Sequence, residues 1–74
     1  MSESVRILDI VQRVGQAGMT GDVVGELQAL LEAMEWAIEN PVVARRIGFE
    51  MAGAKLREVE LRKMLEVGQM DAKQ

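Results

Sequence analysis

Apolar residues recur along most of this chain at spacings of three and four, the period of an α-helix, and the two-residue alternation of a half-buried strand is missing. The chain reads as all-α. A first helix is predicted from about Ser4 to Val14, with Ser2 or Ser4 as its N-cap. Ile7, Leu8, Ile10, Val11 and Val14 fall on one face, and Arg6, Asp9, Gln12 and Arg13 on the other. The glycine-rich stretch GQAGMTG then favours a turn over continued helix. Thr20 or Asp22 caps a second helix that runs to about Ile38. Pro41 suits the first turn of a helix and pushes Asn40 out of the α region, so a third helix starts at Pro41 with Asn40 as its cap and meets no strong stop before Gly68.

The expected architecture is one domain over residues 1–70: a short N-terminal helix and two longer helices joined by a sharp corner at Asn40–Pro41, as a helical hairpin or a three-helix unit. A frayed tail is expected at 71–74. One helix kinked at the proline is the alternative.

Placing residues at about 100° per position exposes a second pattern. On the second helix, Val23, Leu27, Leu30, Leu31, Met34 and Ile38 form a core stripe, while Trp36 points the opposite way beside Gly25 and Ala29. On the third, Val43, Ile47, Met51, Ala54, Leu61 and Leu65 lie on one side; Phe49, Ala52, Leu56, Val59, Val67 and Met70 lie on the other. A helix that is apolar on two sides must be sandwiched. A first helix of about 16 Å cannot cover both second faces of helices that extend to about 40 Å. The uncovered remainder predicts an oligomer or an obligate partner.

Composition points the same way. With 74 residues, no cysteine and no histidine, the chain lacks the disulfides and Cys/His metal sites that usually brace small domains, and association remains. Charge is segregated: residues 1–44 carry two basic and seven acidic side chains, and residues 45–74 seven basic and five acidic. The acidic second helix (Asp22, Glu26, Glu32, Glu35, Glu39) and the basic third (Arg45, Arg46, Lys55, Arg57, Arg62, Lys63) are suited to pair, within one chain or between two. Ala44, Gly48 and Ala52, four apart along one edge, would let another helix approach closely, with a hinge at Gly48 as the other reading.

Candidate chemistry is sparse. Without cysteine, histidine or tyrosine, the usual nucleophile–base constellations cannot be assembled, and no enzymatic activity is expected. Glu32, Glu35 and Glu39 lack the histidines of a helical carboxylate–metal centre and read as a solvated acidic edge. GQAGMTGDVVG lacks the lysine of a phosphate-binding loop. No cofactor, metal or small-molecule substrate is expected.

AGMTGDVVGEL resembles the second helix of a helix-turn-helix, which would imply a small DNA-binding regulator. The segment that follows is the acidic ELQALLEAMEWAIEN, and the net charge of −3 also opposes phosphate binding, so nucleic acid is not an expected partner. No apolar run is long enough to span a membrane, and no secretory signal is evident at the N-terminus; a cytoplasmic location is expected.

AIENPVVA, with Asn40, Pro41 and an apolar helix on each side, resembles the needle and inner-rod subunits of type III secretion systems. That resemblance implies a repeating structural subunit of a helical assembly. The reading preferred from the residues is a non-enzymatic helical protein–protein interaction module (adaptor, chaperone or inhibitor) that forms a homodimer and binds another protein. Its expected interface comprises Trp36 as hot spot, Phe49, Ala52, Leu56 and Val59 on the outer faces, Gly48 for close approach, and Arg45 and Arg46 for charge matching. Trp36 has a second reading, contact with the first helix. Met34, Met51, Met64 and Met70 suit adaptable contacts or core filling.

Overall fold

The computed structural model describes the backbone of residues 3–72 and the side chains of residues 5–67. Among the described residues the chain forms four α-helices and no strand: α1 (Glu3–Thr20), α2 (Val23–Glu39), α3 (Pro41–Arg46) and α4 (Met51–Ala72).

Helix α1 continues through Gly15 and Gly18 for 18 residues instead of stopping near Val14. An interior glycine costs only about 1 kcal/mol relative to alanine, and the extra turns bury Ala17. Ser4 therefore lies inside the helix rather than capping it, and Ser2 lies outside the described residues. The stop comes at Gly21, whose φ of 74° lets the Asp22 N–H donate back to the Ala17 carbonyl at 2.8 Å. Asp22 then caps α2, its Oδ1 accepting from the Gly25 N–H at 2.9 Å. Thr20 belongs to α1 instead, its hydroxyl donating to the Gln16 carbonyl at 3.1 Å.

Asn40 does not cap α3 with its side chain. Its backbone N–H and its Nδ2 both donate to the Trp36 carbonyl, at 2.9 and 3.0 Å, and so close α2. Helix α3 begins at Pro41 and lasts six residues. The uninterrupted third helix expected from Pro41 to Gly68 is thus two helices. The break is a Schellman closure: the Gly48 N–H donates to the Arg45 carbonyl at 3.2 Å, and the Phe49 N–H to the Ala44 carbonyl at 2.9 Å. Gly48 takes a φ of 80°, a left-handed conformation that glycine adopts without the Cβ penalty. Helix α4 keeps helical backbone through Ala72, past the start of the tail expected at 71–74; residues 73–74 lie outside the described ones.

Helix α2 lies in the middle. Arg6 pairs with Glu39 and Arg13 with Glu32, so α1 runs antiparallel to α2. On another side of α2, Met51 at the start of α4 lies near Ala37 and Arg57 meets Glu26, so α4 runs antiparallel as well. Helices α1 and α4 do not approach one another among the described residues. The molecule is accordingly elongated, 46 × 21 × 16 Å.

The core has two parts. Ile7, Ile10, Ala33, Trp36, Ala37 and Ala44 form one, and Leu27, Leu30, Met34, Ala54 and Leu61 the other. Phe49 and Met51 pack against both. Alanines at 29, 33 and 37 keep α2 slim where helices crowd it. Both faces of α2 are covered, by α1 and by α4; α4 has a partner helix on one side only.

Candidate interaction surface

The one-sided packing of α4 follows from its sequence. Leu61 (0% exposed) and Ala54 face α2, with Leu65 and Met51 half-buried beside them. At about 100° per residue, Ala52, Leu56, Val59, Lys63 and Val67 fall on the reverse side. All of these are exposed, Leu56 at 67%, Val59 at 45% and Val67 at 57%. Met70 was expected on this face, and its side chain lies outside the described residues.

A second apolar surface lies between α1 and α3. Ile7, Leu8, Val11, Val43 and Ile47 line an open groove of about 300 Å³. Leu8 and Val11 were expected in the core with Ile7 and Ile10, but the arc of α1 that α2 covers holds only Ile7, Ile10, Val14 and Ala17. Ile47 left its predicted core stripe because α3 ends before it. Val24, Leu31 and Ile38, seven apart on α2, form a narrower exposed strip.

The eight expected interface residues separate. Ala52, Leu56 and Val59 stand together on the outer face of α4. Trp36 does not lie on an outer face: it is fully buried, because α1 lays Ile7 and Ile10 over that side of α2, the contact with the first helix that was its second reading. Phe49 is likewise drawn in, half-buried between the two core parts, as the residue after Gly48 in the Schellman turn. Gly48 is exposed, and a Cβ built there would meet nothing within 4 Å, so no helix approaches it. The small-residue edge expected from Ala44 to Ala52 is broken at that turn. Arg45 and Arg46 are exposed and form no ion pair among the described residues; Arg6, Arg13 and Arg57 match the acidic α2 instead. Of the methionines, Met34 is core and Met51 half-buried, whereas Met64 is exposed.

Electrostatics fix how α4 is seated. Glu26, 7% exposed, accepts from Arg57 in a two-pronged pair, Nε to Oε2 at 2.7 Å and Nη2 to Oε1 at 3.0 Å. Arg57 also reaches Glu60 at 3.1 Å. Hydrogen bonding and charge from Glu26, with Glu60 adding to them, make the Arg57 guanidinium hold its proton more tightly than usual. Arg13 is held in the same way by Glu32 and Asp9. Glu58 accepts from Arg62 at 3.2 Å and lies 3.5 Å from Lys55, and these cations hold its carboxyl below the usual range despite its burial. The pairs leave Lys63 and Glu66 on α4 without an ion-pair partner among the described residues.

Groups suited to catalysis do not converge. Thr20, the one hydroxyl among the described side chains, is bonded to main-chain carbonyls. The polar cleft at the α1–α2 turn, lined by Arg13, Asp22 and Gln28 among others, has its charged groups committed to Glu32, Asp9 and the α2 cap. No cluster of potential metal ligands occurs among the described residues, and no helix there is long and apolar enough to cross a membrane.

No protein family, curated protein or solved structure matches this chain.

Proposed function

We propose that this protein is a non-enzymatic helical interaction module that self-associates as a homodimer through the outer face of α4 and offers the α1–α3 groove to another protein, as an adaptor, chaperone or inhibitor would. The observation that carries this reading is the uncovered reverse side of α4. Leu56, Val59 and Val67 line up there, and α1 does not reach α4. Fully burying such a side chain contributes about 1.5–3 kcal/mol, and a twofold pairing repeats each contribution. The groove is lined by Ile7, Leu8, Val11, Val43 and Ile47, which suits an apolar segment of the partner.

A second reading is favoured by the same pair of surfaces. Were the α4 face of one copy to seat in the α1–α3 groove of the next, the contact would be head-to-tail and the assembly open, the behaviour of a repeating structural subunit. Two variants separate these readings. Leu56→Glu should abolish self-association measured by light scattering, and Leu8→Glu, in the groove, should leave the dimer intact while losing the protein partner. Loss of assembly in both variants would favour the repeating subunit, and unchanged assembly in Leu56→Glu would refute the role given to α4.

A further inference from the structure

Within the proposed self-association, on which this inference rests, we infer that the second copy lies antiparallel on α4, about a twofold axis that passes near Leu61. The deciding residue is Lys63. It is exposed in the middle of the apolar stripe of Leu56, Val59 and Val67, and it has no ion-pair partner in its own chain among the described residues. In a parallel, in-register pair every stripe residue faces its own copy. Lys63 would meet Lys63 of the second copy in the seam, two like charges drawn out of water with no compensation.

The antiparallel arrangement removes that conflict. With the axis near Leu61, Leu56 faces Val67 of the second copy and Val67 faces Leu56, as a twofold axis requires. Lys63 falls beside Val59 and Glu60 of the second copy. On the flank of the stripe, Glu66 lies across from position 57, and Lys55, on the same flank two residues away, is the cation in reach of this other α4 charge that has no ion-pair partner among the described residues. Lys63 and Glu66, the two exposed charges of α4 without an ion-pair partner among the described residues, both gain an opposite charge nearby in this register, and Leu56 and Val67 stay in contact. The core of the chain is untouched, because Leu61 and Ala54 point toward α2.

Cysteine trapping tests the orientation, and the chain has no cysteine of its own. Leu56→Cys and Val67→Cys alter exposed positions, and circular dichroism and light scattering under reducing conditions establish that each variant is folded and dimeric. In the antiparallel pair the two copies of position 56 are separated by about 16 Å along the axis at 1.5 Å rise per residue. A disulfide needs Cα atoms within about 7 Å. Neither variant alone should then cross-link readily, whereas an equimolar mixture should give the 56–67 heterodisulfide as the main product. Rapid homodisulfides in each variant alone would overturn the orientation while leaving the dimer standing. A dimer that forms no disulfide at all would place the contact elsewhere and overturn it too. A monomer of the wild-type chain would instead overturn the self-association beneath it.

Discussion

Replacing Trp36 by alanine should lower the stability of the fold rather than blunt a surface. Trp36 is 0% exposed and joins α1 to α2 through Ile7, Ile10, Ala33 and Ala37. Truncating a fully buried tryptophan typically costs about 3–5 kcal/mol through lost transfer energy and the cavity left behind. A chain of this length has a total stability of roughly 4–11 kcal/mol at 0.05–0.15 kcal/mol per residue. The Nε1 of Trp36 has no hydrogen-bond partner, and relief of that buried donor reduces the loss by about 1–3 kcal/mol. A net cost of about 2 kcal/mol remains at the middle of these ranges, equivalent to a melting shift of roughly 8–16 °C for a small domain. The assay is urea and thermal unfolding by far-ultraviolet circular dichroism, with wild type and variant at the same protein concentration because dimerisation contributes to apparent stability. An unchanged midpoint together with lost self-association would refute the reasoning and return Trp36 to an outer face.

Four further outcomes follow from other contacts. Gly15→Ala should raise stability by up to about 1 kcal/mol, since a Cβ there meets nothing within 4 Å and helix propensity improves. Gly48→Ala should lower it by about 1 kcal/mol or more at φ 80°, despite equally open space, and a lack of contrast between the two in thermal melts would contradict the Schellman turn. Arg57→Ala should destabilise by stranding the buried Glu26, and adding Glu26→Gln should recover part of the loss in a double-mutant cycle; additive effects would mean that the pair is not coupled. Glu58 titrates lower when folded than when unfolded, so the unfolded chain binds more protons as pH falls. Its stabilisation is therefore complete above the ordinary carboxylate range and is lost as pH drops through the folded value. Glu58→Gln should flatten the acid side of the melting-temperature profile, and an unaltered profile would count against the Arg62 and Lys55 contacts.

How much of this was legible from sequence varies by element. The helical period identified an all-helical chain, and Asp22 and Pro41 marked the starts of α2 and α3 because capping and proline geometry act locally. The outer face of α4 was also legible, since Ala52, Leu56 and Val59 depend only on helical phase. Trp36 was legible only as two readings: helical phase put it on the second face of α2, but whether Ile7 and Ile10 or another molecule covered that face depended on how α1 docks. The length of α1 was missed because Gly15 and Gly18 cost little against the burial of Ala17. The break at Gly48 had a local signal in Arg45-Arg46-Ile47-Gly48-Phe49, with basic residues in the last turn, glycine after the helix and an apolar residue next. Reading it required knowing that Phe49 would reach both parts of the core, a long-range fact. The groove between α1 and α3 was hidden for the same reason, because Ile47 leaves the core only when α3 ends.

Sedimentation equilibrium of the wild-type chain across micromolar concentrations tests the central claim most directly. A closed species of twice the 8.2 kDa chain mass is expected, with no further growth as concentration rises. A folded monomer of 8.2 kDa throughout that range would contradict it.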